Sequence, residues 1–98
     1  MAFVQIIDHR TSKFDEMEQI GKEWEAASQS ETTARRRIVL RDRDDPERYL
    51  TLVFFDSYDE AMKNSDNPVT QEFSGRMAAV VEGAPTFINL DIIDDVTY

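Results

Sequence analysis

The chain has 98 residues, of which 41% are hydrophobic and 10% aromatic, the composition of an ordinary folded domain. It carries 11 Lys and Arg residues against 20 Asp and Glu residues, and the net charge of −9 disfavours nucleic acid and anionic membrane surfaces as partners. The lack of cysteine excludes disulfides and thiolate metal sites, and a single histidine, His9, is too few for a typical zinc or di-iron centre. Because no apolar run is long enough for a membrane span and no signal peptide precedes the first strand, we expect one cytoplasmic domain over residues 1–98.

The first half of the chain predicts a strand, a helix and a hairpin. Residues 2–8 are rich in β-forming side chains, and residues 13–28 repeat apolar side chains at steps of three and four, which is typical of an amphipathic helix. Gly21 lies inside this helix and indicates close packing against the sheet. Residues 29–33 are polar and predict a loop. Two strands follow, over residues 35–43 and 48–55, joined by a turn that contains Pro46.

The second half predicts two further helices and a last strand. Ser57 is a helix N-cap for a short helix ending near Lys63, and Asn67 followed by Pro68 begins the next helix. That helix is expected to continue to residue 82, where Gly83 ends it. Residues 86–93 predict the fourth strand, and residues 94–98 a tail. The order is βαββαβ, so the expected fold is α+β and ferredoxin-like, with an antiparallel sheet of order 4-1-3-2 and all helices on one face.

Alternation along the strands divides their side chains into two sets. One set is apolar throughout: Val4, Ile6, Ile38, Leu40, Leu50, Leu52, Phe54, Ile88, Leu90 and Ile92. The other set mixes aromatic and aliphatic side chains with polar ones: Phe3, Gln5, Ile7, His9, Arg37, Val39, Arg41, Tyr49, Thr51, Val53, Phe55, Phe87, Asn89 and Asp91. The helices cover only one face, so a monomer would leave a large apolar patch in water, and the pattern favours a homodimer with the sheets packed face to face. The sequence leaves open which set meets the partner.

One stretch of the chain resembles the dimeric α/β-barrel proteins of the antibiotic-biosynthesis-monooxygenase type. The resemblance rests on the aromatic end of the third strand with the acidic helix start that follows it (residues 49–62), on the segment from Asn64 to Pro68, on Phe73, and on Pro85-Thr86-Phe87 at the entry to the last strand. By order of elements it covers nearly the whole chain. It implies a homodimer with one small-molecule pocket per subunit, between sheet and helices.

The resemblance leaves two classes of function open. Members of that family oxygenate electron-rich aromatic compounds without metal or flavin, degrade haem, or isomerise or dechlorinate small molecules, and many have no known reaction. The first class is a cofactor-independent, monooxygenase-like enzyme acting on an aromatic or enolisable substrate, for which we expect no cofactor. The alternative is a non-catalytic ligand-binding or assembly module of unknown function.

Eight residues are candidates for the site, each with a plainer alternative. His9 titrates near neutrality and is the natural base, unless it is an exposed or loop-capping histidine. Asn64 is the second catalytic candidate, unless it only caps a helix. The remaining candidates for a substrate pocket are Gln5, Trp24, Thr51, Tyr58, Phe73 and Asn89. Their alternatives are core or interface packing for Trp24, core packing for Phe73 and surface packing for Tyr58. For the three polar residues the alternative is hydrogen bonding to one another or to water.

An arginine-rich segment offers one more candidate. Residues 35–48 contain six arginines in a chain that is otherwise strongly acidic. They form either a strip that binds an anionic substrate or a charged sheet edge that prevents aggregation.

Overall fold

The computed structural model describes residues 2–28 and 32–98. Its elements in chain order are β1 (Phe3–Arg10), α1 (Phe14–Ser28), β2 (Arg36–Arg41), β3 (Arg48–Phe55), α2 (Tyr58–Asp66), α3 (Pro68–Ala78) and β4 (Glu82–Asp91). The four strands form one antiparallel sheet in the order β2-β3-β1-β4. The predicted α+β, ferredoxin-like fold and its strand order are confirmed. Residues 29–31 of the predicted loop lie outside the described residues.

The starts of the later helices follow from local side-chain chemistry. The hydroxyl of Ser57 accepts a hydrogen bond from the backbone N–H of Glu60 at 3.2 Å, as an N-cap does. The carboxamide oxygen of Asn67 accepts from the N–H of Val69 at 2.9 Å, and Pro68 occupies the first turn. Both predicted helix starts are therefore confirmed.

The predicted end of the third helix is wrong. Helix α3 ends at Ala78, and the chain is already in strand β4 at Glu82, four residues before the predicted start of that strand. Glu82 lies opposite Arg10 of β1, and the register between β1 and β4 shifts beside it. Gly83 has a φ of 72° and supplies the left-handed backbone at this irregularity. Pairing with β1, rather than the local sequence, decides where this strand begins.

The mixed set of strand side chains faces the helices. Its buried members Phe3, Val53 and Phe55 pack with Ala61 of α2 into the main apolar cluster. The apolar set lies on the opposite, uncovered face, where Leu40 and Leu90 are each 43% exposed and Ile88 is 39% exposed. The structure therefore shows that the helices cover the more polar of the two sets.

Helix α1 packs mainly against α3 rather than directly against the sheet. The apolar cluster lies below α2, so the space between the sheet, α1 and α3 is left unfilled. No helix among the described residues is long and apolar enough to cross a membrane. The cytoplasmic location stays a prediction.

Candidate functional site

A cavity of about 680 Å³ lies between the mixed face of the sheet and helices α1 and α3. Its volume is in the range usual for small-molecule sites. Four of the six phenylalanines and the only tryptophan line it. These aromatic residues are Phe14, Trp24, Phe55, Phe73 and Phe87. The wall offers flat apolar surfaces suited to a planar ring system.

Most of the residues proposed from the sequence lie in the wall of this cavity. They are Gln5, His9, Trp24, Thr51, Asn64 and Phe73. Tyr58 and Asn89 do not line it. The half-exposed ring of Tyr58 packs edge-on against Phe3, with 5.5 Å between ring centroids, and Asn89 accepts a hydrogen bond from the Gln5 amide at 3.1 Å. For Tyr58 and Asn89 the alternatives of surface packing and mutual hydrogen bonding describe the structure.

His9 is buried at the end of β1, with 7% of its surface exposed. Its Nε2 lies 3.0 Å from the Thr51 hydroxyl, and its Nδ1 is buried without a hydrogen-bond partner among the described residues. Burial lowers the pKa of His9 below its ordinary value of 6.5, and Asp8 opposes this effect only in part. The imidazole is therefore neutral at pH 7 and able to accept a proton.

The imidazole is the end of a stack of three rings. Tyr49 of β3 stacks on His9 with 6.2 Å between centroids, and Phe14 stacks on Tyr49 at 5.0 Å. Tyr49 is only 5% exposed, so the ring cannot swing away without opening the core. Alternation along the strands places Tyr49 and His9 on the same face. The contact between Tyr49 and Phe14 is not predictable from the strand pattern, because Phe14 lies in helix α1.

The side chain of Asn64 points inward from α2 and belongs to a polar network. Its Oδ1 accepts hydrogen bonds from the hydroxyls of Thr32 at 3.0 Å and Thr70 at 3.4 Å. Thr70 in turn accepts from the indole N–H of Trp24 at 3.4 Å. The C-cap of α2 is Asn67, so the alternative of a capping role for Asn64 is wrong. The Asn64 amide N–H₂ donates to none of the described residues and is available to a ligand.

Comparisons with solved structures identify the fold. No protein-family model matches the sequence, and no curated protein matches it. The oxygenase SnoaB from Streptomyces nogalater, described as cofactor-independent and solved as a mutant, superposes with a TM-score of 0.83 at 12% identity, over 99% of this chain and 98% of that one. A candidate antibiotic biosynthesis monooxygenase from Caulobacter crescentus gives a TM-score of 0.81 at 17% identity, over 95% and 91% of the two chains. The protein has the fold of the antibiotic biosynthesis monooxygenases.

One member of the arginine-rich segment, Arg37, is a charged residue of the cavity wall. Its Nη2 donates to Oε1 of Glu25 at 2.5 Å, and its guanidinium lies against Gly21. The arginine-rich segment and Gly21 are both evident in the sequence, but nothing in the sequence indicates that the Arg37 side chain reaches α1 at Gly21 and Glu25. Arg35 pairs instead with Asp56 at 2.7 Å on the surface.

The burial of His9 predicts that the stability of this protein depends on pH. The unfolded chain takes up a proton on His9 near pH 6.5, whereas the folded chain does so only at lower pH. The free energy of unfolding should therefore decrease as the pH falls from above 6.5 through the folded-state pKa. Urea unfolding at pH 7.5 and 5.5, at fixed protein concentration, should show a smaller decrease in His9→Gln than in the wild type.

A second group of residues titrates in a separate pH range. The hydrogen bond from Arg48 lowers the pKa of Asp8 below 3.8. The pKa of Asp42 is lowered first by the backbone N–H of Asp44 and then by Arg48. Their stabilising contribution is complete above pH 3.8 and is lost only below it. If the free energy of unfolding decreased equally in the wild type and in His9→Gln between pH 7.5 and 5.5, this would contradict the assignment of the pH dependence to His9.

Proposed function

We propose that this protein is a homodimeric, cofactor-independent oxygenase of a planar aromatic or enolisable substrate. The observation that carries the proposal is the buried position of His9 in the wall of an aromatic cavity, where burial lowers its pKa below 6.5. A base that is neutral at pH 7 can take a proton from an acidic C–H or phenolic O–H group. The surrounding rings exclude water and hold a flat substrate by stacking.

The proposed reaction begins with proton transfer from the bound substrate. The Thr51 hydroxyl lines the cavity and lies 3.0 Å from Nε2 of His9, so it passes the proton to the imidazole in the tautomer that has its hydrogen on Nδ1. The substrate anion then reduces O₂, which adds to the same carbon. A methylene carbon becomes a carbonyl, one oxygen atom is retained, and the other leaves as water with both methylene protons.

The anion formed in the first step needs hydrogen-bond donors. The Asn64 amide N–H₂ supplies two of them, and its orientation is fixed by the hydroxyls of Thr32 and Thr70 on its oxygen. Donors already oriented before the reaction stabilise developing charge at little reorganisation cost. His9 therefore acts as the base and Asn64 as the anion-stabilising residue.

The homodimer is proposed from the uncovered sheet face. Leu52 of β3 lies opposite both Ile6 and Ile38, and Ile6 also lies opposite Ile88, so one apolar row crosses all four strands. A row of this kind extending over a whole sheet is unusual on a monomer surface. Packing against a second copy by two-fold symmetry would bury it.

Ligand binding and oxygen consumption can be tested with one probe. Trp24 is the only tryptophan and lines the cavity, so an anthrone bound there under anaerobic conditions should quench its fluorescence. After admission of O₂, one O₂ should be consumed per ketone formed, faster than in buffer or with heat-denatured protein. Saturable quenching without added oxygen uptake would support the binding-module alternative and overturn the oxygenase proposal. No quenching would contradict an aromatic-ligand site.

A further inference from the structure

The guanidinium of Arg37 lies against a glycine of α1, in space that a larger residue would fill. Alternation along β2 directs the side chain to the helix-facing side, opposite Val53, and only 24% of the side chain is exposed. The guanidinium rests against Gly21 in the middle of α1, where an added Cβ would collide with it. Glycine is intrinsically less favourable than alanine in the middle of a helix, and at this position its missing side chain leaves room for the cation.

Most of the N–H donors of the Arg37 guanidinium have no acceptor among the described residues. Its only hydrogen bond among the described residues runs from Nη2 to Glu25, although a guanidinium has five N–H donors. The Glu25 side chain is 53% exposed and can turn into water, whereas Arg37 is confined between the sheet and α1. The other charged residues of the cavity wall, Glu18 and Lys22, pair with each other at 3.3 Å and are more exposed.

Arg37 is also well placed relative to the proposed proton path. Thr51 lies on the neighbouring strand opposite Val39, two residues along from Arg37. Strand spacing and rise place the two backbones about 8 Å apart, which is about the length of a fused two- or three-ring system. A ligand could therefore contact both groups at once.

We propose that Arg37 binds a carboxylate on the aromatic ligand, and that Glu25 occupies this position in the free protein. A carboxylate matches the guanidinium fork with two parallel hydrogen bonds, which a phenol or ketone cannot do. The inference rests on the proposed function and narrows its substrate class to aromatic carboxylates. The net charge of −9 does not prevent this, because at physiological salt charges more than about 8 Å apart are largely screened.

The test compares one ring system with and without the charge. Anthraquinone-2-carboxylate and its methyl ester are titrated into the full chain with Trp24 fluorescence as the readout. Arg37→Gln should weaken carboxylate binding by roughly tenfold to hundredfold and leave ester binding within twofold. Glu25→Gln should strengthen carboxylate binding several-fold, because the competing carboxylate is gone. Arg41→Gln, on the same strand and face but outside the cavity wall, is the matched control and should change neither affinity.

A second variant separates the charge from the fold. Gly21→Ala keeps every charged group but displaces the guanidinium, so it should also weaken binding of the carboxylate more than of the ester. Equal loss of carboxylate and ester binding in Arg37→Gln, or no loss of either, would overturn the inference and leave the aromatic site intact. Quenching of the wild type by neither compound would instead overturn the proposed function, and the inference with it.

Discussion

Replacing Leu52 with aspartate is expected to convert a dimer into a folded monomer of 11.4 kDa. Leu52 lies in the central apolar row of the uncovered sheet face, with Ile6 and Ile38 as its register neighbours. In a two-fold dimer each substitution occurs twice, and each buried, unpaired carboxylate costs about 3 kcal/mol or more. The dissociation constant should therefore rise by at least about 10⁴-fold.

Sedimentation velocity at micromolar concentration measures this effect directly. The side chain of Leu52 points away from the helices, so circular dichroism and Trp24 fluorescence should stay close to those of the wild type. Leu52→Met preserves an apolar side chain of similar volume and is the matched control, which should remain dimeric. A wild-type mass of 11.4 kDa would refute the homodimer, and a dimeric Leu52→Asp would place the interface on another surface.

Replacing His9 with glutamine should lower kcat for anthrone oxygenation by roughly 10²- to 10⁴-fold, the usual contribution of a positioned base. Glutamine still hydrogen-bonds to Thr51 but accepts no proton at neutral pH. In the wild type, kcat/KM should increase with pH through the His9 pKa, which lies below 6.5 because of burial. In the variant, kcat/KM should not show this increase with pH. Its anaerobic affinity for anthrone should change by only a few-fold.

The comparison of kcat with affinity distinguishes a chemical role for His9 from a packing role. If stacking against Tyr49 were the only contribution of His9, affinity and thermal stability would decrease together with turnover. Thr51→Val is the companion variant, because it removes the hydroxyl between the cavity and Nε2 while keeping a similar shape. Unchanged turnover in both variants would mean that a group other than His9 accepts the proton of the substrate.

Short-range chemistry made much of the fold predictable from the sequence. The bounds of β3 were predicted as residues 48–55 and are observed as Arg48–Phe55, since the turn at Pro46 and the aromatic end of the strand are local signals. The caps at Ser57 and Asn67 are equally local, because each side chain bonds a backbone N–H two or three residues away. The order of elements then left the ferredoxin-like topology as the natural arrangement.

Features that depend on distant residues could not be predicted in this way. The start of β4 at Glu82 is decided by pairing with Arg10, more than 70 positions earlier, so the local helix signal that continued to residue 82 was misleading. The contact of Arg37 with Gly21 and the network from Trp24 to Asn64 depend on how α1 lies over the sheet and against α3. Side-chain spacing along one segment carries no information about such crossings.

The two sheet faces show most clearly what the sequence determines and what depends on the tertiary structure. Because strand side chains alternate with period two, the sequence alone determined which residues share a face, and the register in the structure keeps both sets together. Only the tertiary structure decided that the mixed set, with His9 and Thr51, lies under the helices around a cavity, while the set with Leu52 is uncovered. The physical reason is that alternation sorts the strand side chains into two faces but does not determine which face the helices cover. Which side is covered depends on the hand of the crossover connections, and that is a property of the assembled sheet and helices.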